Sequence, residues 1–573
     1  MIQRDRSHPC VIIWSLANES LWSPNFEKSF ELAHRLDPTR PKSFHDQTWS
    51  SDNPSTTQIA NQHYPGANGP DNIDSPTRPI LFGEYCHLNT YNRREVVTDP
   101  GVRDEWGRGF YTMWEKMYAK QGCLGGAVWS GIDDIFHLPS GRSTGYGPWG
   151  PLDGWRRTKP EYWHFKKVYS PIKVITKSIP LPTENEPIKL KIENRHDFTN
   201  LNEVTIEWKI ERESGRIFAD IPPHSLGTIT IPVKNTDLDG KKLSLQFFSP
   251  RGFTIDTYLL PLGKASTDPT ESETAQSGRI KLTRNDKSIT VKSGEFTWTF
   301  DRNTGQIQSA EINGQTVLTG GPTLMVLPLT GGKCEPTYRR NIPPFNDTCT
   351  QWKATNVTTA QTNDGVEIQV TGQYNEASGT YKMHVDNSGH LTVDYCFKYI
   401  GETEPLQPMW GPLEPARIRQ MGIVFDLPKT CDTLAWKRNA LWTVYPKDHI
   451  GRAEGNAKAF ATAPIKDPCI RPQWPWSLDS NALGTNDFRS TKRSIFQASL
   501  KDRRGYGILI RSDGSQSTRS WVDDDCIRLL VADYSTAGRD ATSFGHLAAE
   551  QRPLTKNSTL QDAVSLQLIS PAK

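Results

Sequence analysis

The texture of the chain changes at Tyr169-Ser170-Pro171, so one polypeptide must hold two kinds of fold. Before that point, strand patterns alternate with helix patterns. Val11-Ile12-Ile13-Trp14-Ser15-Leu16 is a continuous apolar run rich in β-branched residues, as suits a buried parallel strand. Phe26, Phe30, Ala33 and Leu36 recur at helical spacing and stop at Asp37-Pro38. Pro41–His45, Gln58–Tyr64 and Ile80–Tyr85 are further strand candidates. A second helix is expected between Arg103 and Gln121, with Trp106, Phe110, Met113 and Met117 on one face, and Gly125–Ile132 is a last apolar run. Alternation of this kind predicts a parallel α/β sheet or barrel. After residue 171, segments such as Ile188–Ile192, Glu203–Lys209, Gly227–Val233 and Leu243–Phe248 alternate apolar and polar residues at period two. They predict a β-sandwich over 172–262. Residues 263–278 are polar and nearly free of large apolar groups, as expected of a linker. Residues 279–573 are again strand-rich and fit one large β-sandwich.

Composition narrows the function. The 67 Lys and Arg against 64 Asp and Glu leave a formal net charge of +3, without the basic excess that nucleic-acid binding needs. No run approaches the roughly 18 apolar residues of a membrane span, so no membrane partner is expected. The opening Met1-Ile2-Gln3-Arg4-Asp5-Arg6 is charged and unlike a signal peptide, and a cytoplasmic location is expected. Nine cysteines form no CxxC pair and are odd in number, against a zinc ribbon or a fully paired disulfide framework. Eighteen Trp suit a protein that covers the C–H faces of sugars, although most Trp serve core packing.

Two carboxylates stand at strand ends. Val11–Leu16 runs into Ala17-Asn18-Glu19, and Ile80-Leu81-Phe82-Gly83 runs into Glu84-Tyr85. The carboxyl ends of parallel strands are where side chains from different strands converge on a substrate. A carboxylate pair about 5–5.5 Å apart is what retaining glycoside hydrolysis requires. Two acids at strand ends are also common without any shared task. Asp133-Asp134 has no metal-ligand partner at a convincing spacing and is expected in a solvated loop; Trp442 and Trp474-Pro475-Trp476 are a sugar platform or, by default, packing.

The residues around both acids carry a resemblance. Arg4-Asp5-Arg6-Ser7-His8-Pro9-Cys10 with Val11–Leu16 and Ala17-Asn18-Glu19-Ser20 resembles the acid/base motif of glycoside hydrolase family 2, the bacterial β-galactosidase family. Ile80–Tyr85 with Cys86-His87 resembles its nucleophile motif, and Gly125-Gly126-Ala127-Val128-Trp129 its eighth-strand motif, in the family's order. Glu193–Leu201 looks like the start of the immunoglobulin-like domain after the barrel, and the last part is similar in layout to the β-galactosidase small-chain domain. The resemblance implies a multidomain α/β plus all-β chain: a partial (β/α)8 TIM barrel over 1–171 (strands 4–8), an immunoglobulin-like β-sandwich over 172–262, a linker over 263–278 and a β-supersandwich over 279–573. It implies Glu19 as acid/base, Glu84 as nucleophile, Asn18 on the sugar 2-hydroxyl and Tyr64 on the nucleophile. His63, His87, Trp129 and Asp153 are the remaining substrate-binding candidates that it suggests.

The implied substrate is a terminal β-D-galactoside or related oligosaccharide. The chain departs from the family at its front, where counterparts of three barrel strands and of the preceding β-domains are missing. Family ligands that would share Mg2+ with the acid/base are missing with them, so Mg2+ is allowed by resemblance without a full ligand set, and no metal ligand is assigned. Expected partners are the sugar, a second copy of the chain, or a complementing amino-terminal chain. Two other readings stay open: an inactive sugar-binding or structural relative, and a β-glucuronidase-type exo-glycosidase with Arg93-Arg94 near the sugar carboxylate.

Overall fold

The computed structural model describes residues 1–45, 55–65, 69–72, 77–87, 99, 102–137, 140, 143–147, 149–154, 156–183, 186–234, 237–263, 280–329, 346–403, 405, 415–447, 449–460, 488–536 and 552–571. Five strands, β1 (Trp14–Ser15), β2 (Lys42–His45), β3 (Ile59–His63), β4 (Ile80–Tyr85) and β5 (Cys123–Val128), form one sheet in sequence order, every neighbouring pair parallel. After the short helix α1 (Ile2–Asp5), α2 (Pro24–Leu36) links β1 to β2. Proline, which lacks a donor at the first helical turn, starts α2. Asp37 ends it and pins it to the sheet: its carboxylate accepts from Trp14 Nε1 at 2.9 Å and Arg40 Nη1 at 2.6 Å. Bonds from Thr39, Trp14 and Arg40 outweigh burial and hold that carboxyl well below the usual range.

Helix α3 (Val102–Ala119) leads into β5 and packs beside α4 (Glu161–Val168). Trp106, Phe110, Met113 and Met117, spaced four, three and four, are its buried stripe and join Phe82 and Tyr85 in one apolar core. Gly126 is needed where β5 meets β4, because a Cβ there would sit 2.5 Å from the Phe82 carbonyl oxygen. The strand at β1 is shorter than the run Val11–Leu16 suggests. Among the described strands β1 pairs only with β2, and Ile12 is 70% exposed, so that run is not covered on both faces. A hairpin of β6 (Asp134–His137) and β7 (Ser143–Gly147) follows the sheet.

Beyond residue 171 the sheets are antiparallel. β8 (Ile172–Val174) and β9 (Ile188–Asn194) form a three-stranded sheet with β12 (Ser225–Ile231). β10 (Thr205–Ile210), β11 (Glu213–Ile217), β13 (Lys242–Phe248) and β14 (Thr254–Pro261) form a four-stranded one. Alternate residues of both, such as Ile188, Leu190 and Ile192 against Leu243, Leu245 and Phe247, meet in a single core. The described residues between 280 and 571 build sheets of five, four and nine strands around another core that includes Trp298, Tyr381, Phe425 and Leu566. Residues 264–279, which hold nearly all of the expected linker, lie outside the described residues, as do Arg93-Arg94 and Trp474-Pro475-Trp476. No described helix is long and apolar enough to cross a membrane. The seven cysteines described are free thiols.

The first and last parts interlock through buried polar contacts near α3. Asp104 accepts from Arg438 Nη1 and Nη2, both at 3.0 Å, and from Tyr445 Oη at 3.2 Å. Asp99 accepts from the Thr491 N–H at 2.8 Å, and Glu105 pairs with Arg493. Trp442 donates from Nε1 to His164 Nδ1 at 3.0 Å and stacks edge-on to Tyr111, which places it in this junction as packing. Asp133 corrects an expectation: it is buried rather than in a solvated loop, paired with the buried Lys159 at 2.5 Å and accepting from the Gly150 N–H at 2.8 Å.

Removing one partner of a buried pair leaves an uncompensated charge, at a cost of about 3–5 kcal/mol. Arg438→Met is expected to lower the urea midpoint of unfolding followed by Trp fluorescence, and adding Asp104→Leu is expected to recover much of the loss.

Candidate active site

The parallel sheet aims the ends of β1, β3 and β4 at one cleft of about 550 Å³, lined by Ser15, Asn18, Asn61, His63, Gly83 and Glu84 among others. Alternation along β4 buries Ile80 and Phe82 and turns Leu81 and Gly83 to the cleft. Strict period two would bury Glu84 with Phe82. Instead the register slips against β3 at Gln62/His63 and against β5 between Phe82 and Tyr85. Glu84 therefore joins the cleft and Tyr85 returns to the core, as a bulge-like irregularity allows. Gly83 makes room for this: its N–H donates to Asn61 Oδ1 at 2.9 Å, and a Cβ would lie 2.3 Å from that oxygen.

Glu19 stands in the turn after β1. Its φ of 44°, that of Tyr64 at 43° and that of Cys86 at 49° are all in the left-handed region. Such a conformation costs a non-glycine residue about 1 kcal/mol or more and is retained where surrounding structure enforces it. Three such residues follow three of the strands at the cleft mouth. Ligand atoms of Glu19, His63 and Glu84 all lie within 4.8 Å of one another. His63 Nδ1 is 3.1 Å from Glu19 Oε1 and 3.6 Å from Glu84 Oε2, and the His63 ring stacks on His45 at 3.6 Å. Tyr64 Oη donates to Glu84 Oε2 at 2.5 Å.

Burial sets the electrostatics. It pushes the His63 imidazole down to about 4, so the ring is neutral near pH 7. It also pushes the Glu84 carboxyl up, with Tyr64 pulling the other way and the Glu19 charge adding to the rise. A buried carboxylate whose charged form accepts a tyrosine hydrogen bond is oriented as well as tuned.

The other candidates differ in how near they lie to this group. Asn18 is exposed on the cleft wall. His87 is buried, edge-on to Trp149 at 4.9 Å and 6.0 Å from the Tyr64 ring. Trp129 is half-buried against the α/β core, its backbone N–H donating to the Tyr85 carbonyl at 3.2 Å. Asp153 is buried in a separate loop and is not among the described residues lining the cleft. It accepts from the Arg157 N–H at 2.9 Å and from Arg157 Nε at 2.7 Å.

Three family models match the chain in succession: "Glycosyl hydrolases family 2, TIM barrel domain" at residues 1–136, "Beta-galactosidase, domain 4" at 190–258 and "Beta galactosidase small chain" at 292–446. The chain is a β-galactosidase-like protein of glycosyl hydrolase family 2. Its relatives include the β-galactosidase of Priestia megaterium, 22% identical over 82% of this chain and 46% of the relative. The β-galactosidase of Leuconostoc mesenteroides is 20% identical over 78% and 46%. The family 2 chain thus spans about half the length of these curated relatives. Among solved structures, the apo β-glucuronidase 3 of Bacteroides uniformis aligns over 57% of this chain and 44% of its own, at 17% identity and a TM-score of 0.23, a likeness too slight to build on.

The sequence reading of this family 2 site omitted His45, Asn61 and Trp149. His45 stacks on His63, Trp149 packs edge-on to His87, and Asn61 bonds a strand backbone; the polar residues of β2 and β3 hinted at His45 and Asn61, and nothing local pointed to Trp149. Mg2+ prefers an octahedron of oxygens. Glu19, His63 and Glu84 offer an imidazole, and Glu84 Oε2 already accepts from Tyr64. A cation here would neutralise the carboxylates, so these residues do not fit a resident Mg2+.

Tyr64→Phe deletes the bond that favours charged Glu84. A ¹³C-NMR titration of the Glu84 carboxyl is expected to move further upward in that variant; a downward move would show that Tyr64 does not stabilise the carboxylate.

Proposed function

We propose that this chain supplies the two catalytic carboxylates of a retaining exo-glycosidase that acts on terminal β-D-galactosides. The observation that supports the reading is the short separation of Glu19 and Glu84, whose nearest oxygens are within 4.8 Å, close to the carboxyl spacing of about 5–5.5 Å for double displacement. Glu84 attacks the anomeric carbon while Glu19 passes its proton to the departing oxygen, so one C–O bond forms as the glycosidic bond breaks. In the second half, Glu19 takes a proton from water, water oxygen bonds the anomeric carbon, and the ester to Glu84 opens. Tyr64 holds Glu84 in its attacking orientation, and neutral His63 lies against both acids without adding a charge. Asn18 serves the 2-hydroxyl, and His87 and Trp129 are the further sugar contacts in this reading, while Asp153 is held by Arg157 away from the cleft.

The fold reading goes with it. Residues 1–171 are taken as strands 4–8 of a (β/α)8 barrel, 172–262 as an immunoglobulin-like sandwich, 263–278 as a linker and 279–573 as a β-supersandwich. Ile12 at 70%, Leu21 at 61% and Leu124 at 49% exposure leave apolar surface on both edges of the parallel sheet, which further strands would cover. Those strands come from an amino-terminal continuation or from a separate chain, and the location is taken as cytoplasmic.

The test is turnover of a nitrophenyl β-galactoside by the purified chain, alone and with the product of the reading frame directly upstream. Turnover is expected in at least one arm, lost in Glu84→Gln and reduced about 10²–10⁴-fold in Glu19→Gln. Because Glu84 must be charged to attack, activity is expected to fall as pH drops through a value above the ordinary carboxylate range. No turnover in either arm, or full turnover in Glu84→Gln, overturns the reading.

A further inference from the structure

A second cleft, of about 880 Å³, lies where α4 meets the sheets of residues 172–262, and it shares no lining residue with the Glu84 cleft. Its size falls within the roughly 300–1,000 Å³ of small-ligand sites. Its walls are aromatic. Tyr162 and Phe165 come from α4, Tyr169 from just beyond it, and Phe253 from the turn between β13 and β14. Tyr162 is 42% and Phe253 55% exposed. Rings left this open in a concave site form an apolar surface that single scattered hydrophobics do not.

The polar lining has one sign. Lys166 and Arg251 face this cleft, and no acidic side chain is among the described residues that line it. The Arg251 guanidinium has no partner among the described residues, its recorded bond being from the backbone N–H to Ser249 Oγ. His196 adds a third nitrogen group: its Nε2 is shielded from solvent with no hydrogen-bond partner, a state that calls for one. Aromatic faces suit the C–H surfaces of pyranose rings, and an unpaired guanidinium, with the Lys166 ammonium near it on the wall, suits an anion on the ring.

We propose that this cleft is an accessory, non-catalytic site for a short acidic oligosaccharide, its sugar rings on Tyr162 and Phe253 and its carboxylate or sulfate on Arg251 and Lys166. The site goes beyond the Glu19–Glu84 reading and stands without it, because binding and turnover are measured separately. Isothermal titration of the full chain would use trigalacturonate, a sulfated carrageenan tetrasaccharide, neutral galactotriose and hexaglutamate. At least one acidic saccharide is expected to bind, and to bind more weakly as salt rises. The uronate and sulfate arms show which anion the site takes. Arg251→Ala is expected to weaken that binding about tenfold or more, and Phe253→Ala to weaken it as well; both side chains are exposed, so neither substitution disturbs the core. Four outcomes each overturn the proposal: no saccharide bound, galactotriose bound as tightly, hexaglutamate bound as tightly, or affinity unchanged in both variants.

Discussion

The parallel pairing of β3 with β4 is the contact on which the candidate site depends. His63 pairs with Glu84 across it, Tyr64 donates its N–H to the Glu84 carbonyl at 2.8 Å, and the Tyr64 hydroxyl reaches the Glu84 carboxylate. One backbone ladder therefore sets two groups on the candidate nucleophile at once. The irregularity that turns Glu84 out of the core is possible because Gly83 leaves space for Asn61. The left-handed turns at Glu19, Tyr64 and Cys86 are carried by this well-packed sheet, whose buried face rests on Trp106, Phe110 and Met113.

Burial is used in opposite senses within a few ångströms. It keeps His63 neutral, so that the imidazole can lie beside two acids without locking them into fixed ion pairs. At Glu84 it works against charge, and the Tyr64 bond offsets part of that cost. Elsewhere buried charges are met by a partner of opposite sign: Asp104 by Arg438, Lys167 by Asp256 and Asp133 by Lys159. These pairs join segments far apart in sequence, and leaving one member alone would be costly.

Much of the secondary structure could be read from pattern. Ile80–Tyr85 is a strand with the bounds expected from its residues, and the stripe Trp106, Phe110, Met113, Met117 is the buried face of α3. Val11–Leu16 was less legible: an apolar run does not reveal whether both faces will be covered, and its strand is two residues long. Asp133 misled for a related reason, since its partner Lys159 is 26 residues away and a doublet of acids looks solvated until that lysine is placed beside it. Arg438 and Arg493, which meet Asp104 and Glu105 on α3, lie more than 300 residues from those acids, at separations no local pattern encodes.

By itself the sequence determined the local order of this protein: which segments are strands or helices, where alternation changes period, and that Glu19 and Glu84 end two apolar runs. Those properties depend on neighbouring side chains and on backbone preferences within a few residues. Only the tertiary structure decided that the two carboxylates come within 4.8 Å with His63 between them, and that Glu84 faces the cleft against the period of its own strand. It also decided that Asp153 is held by Arg157 and that an aromatic cleft, with no acid among its described lining residues, opens beside α4. Distance, burial and strand register are properties of the packed chain, and a linear pattern of residue types carries none of them.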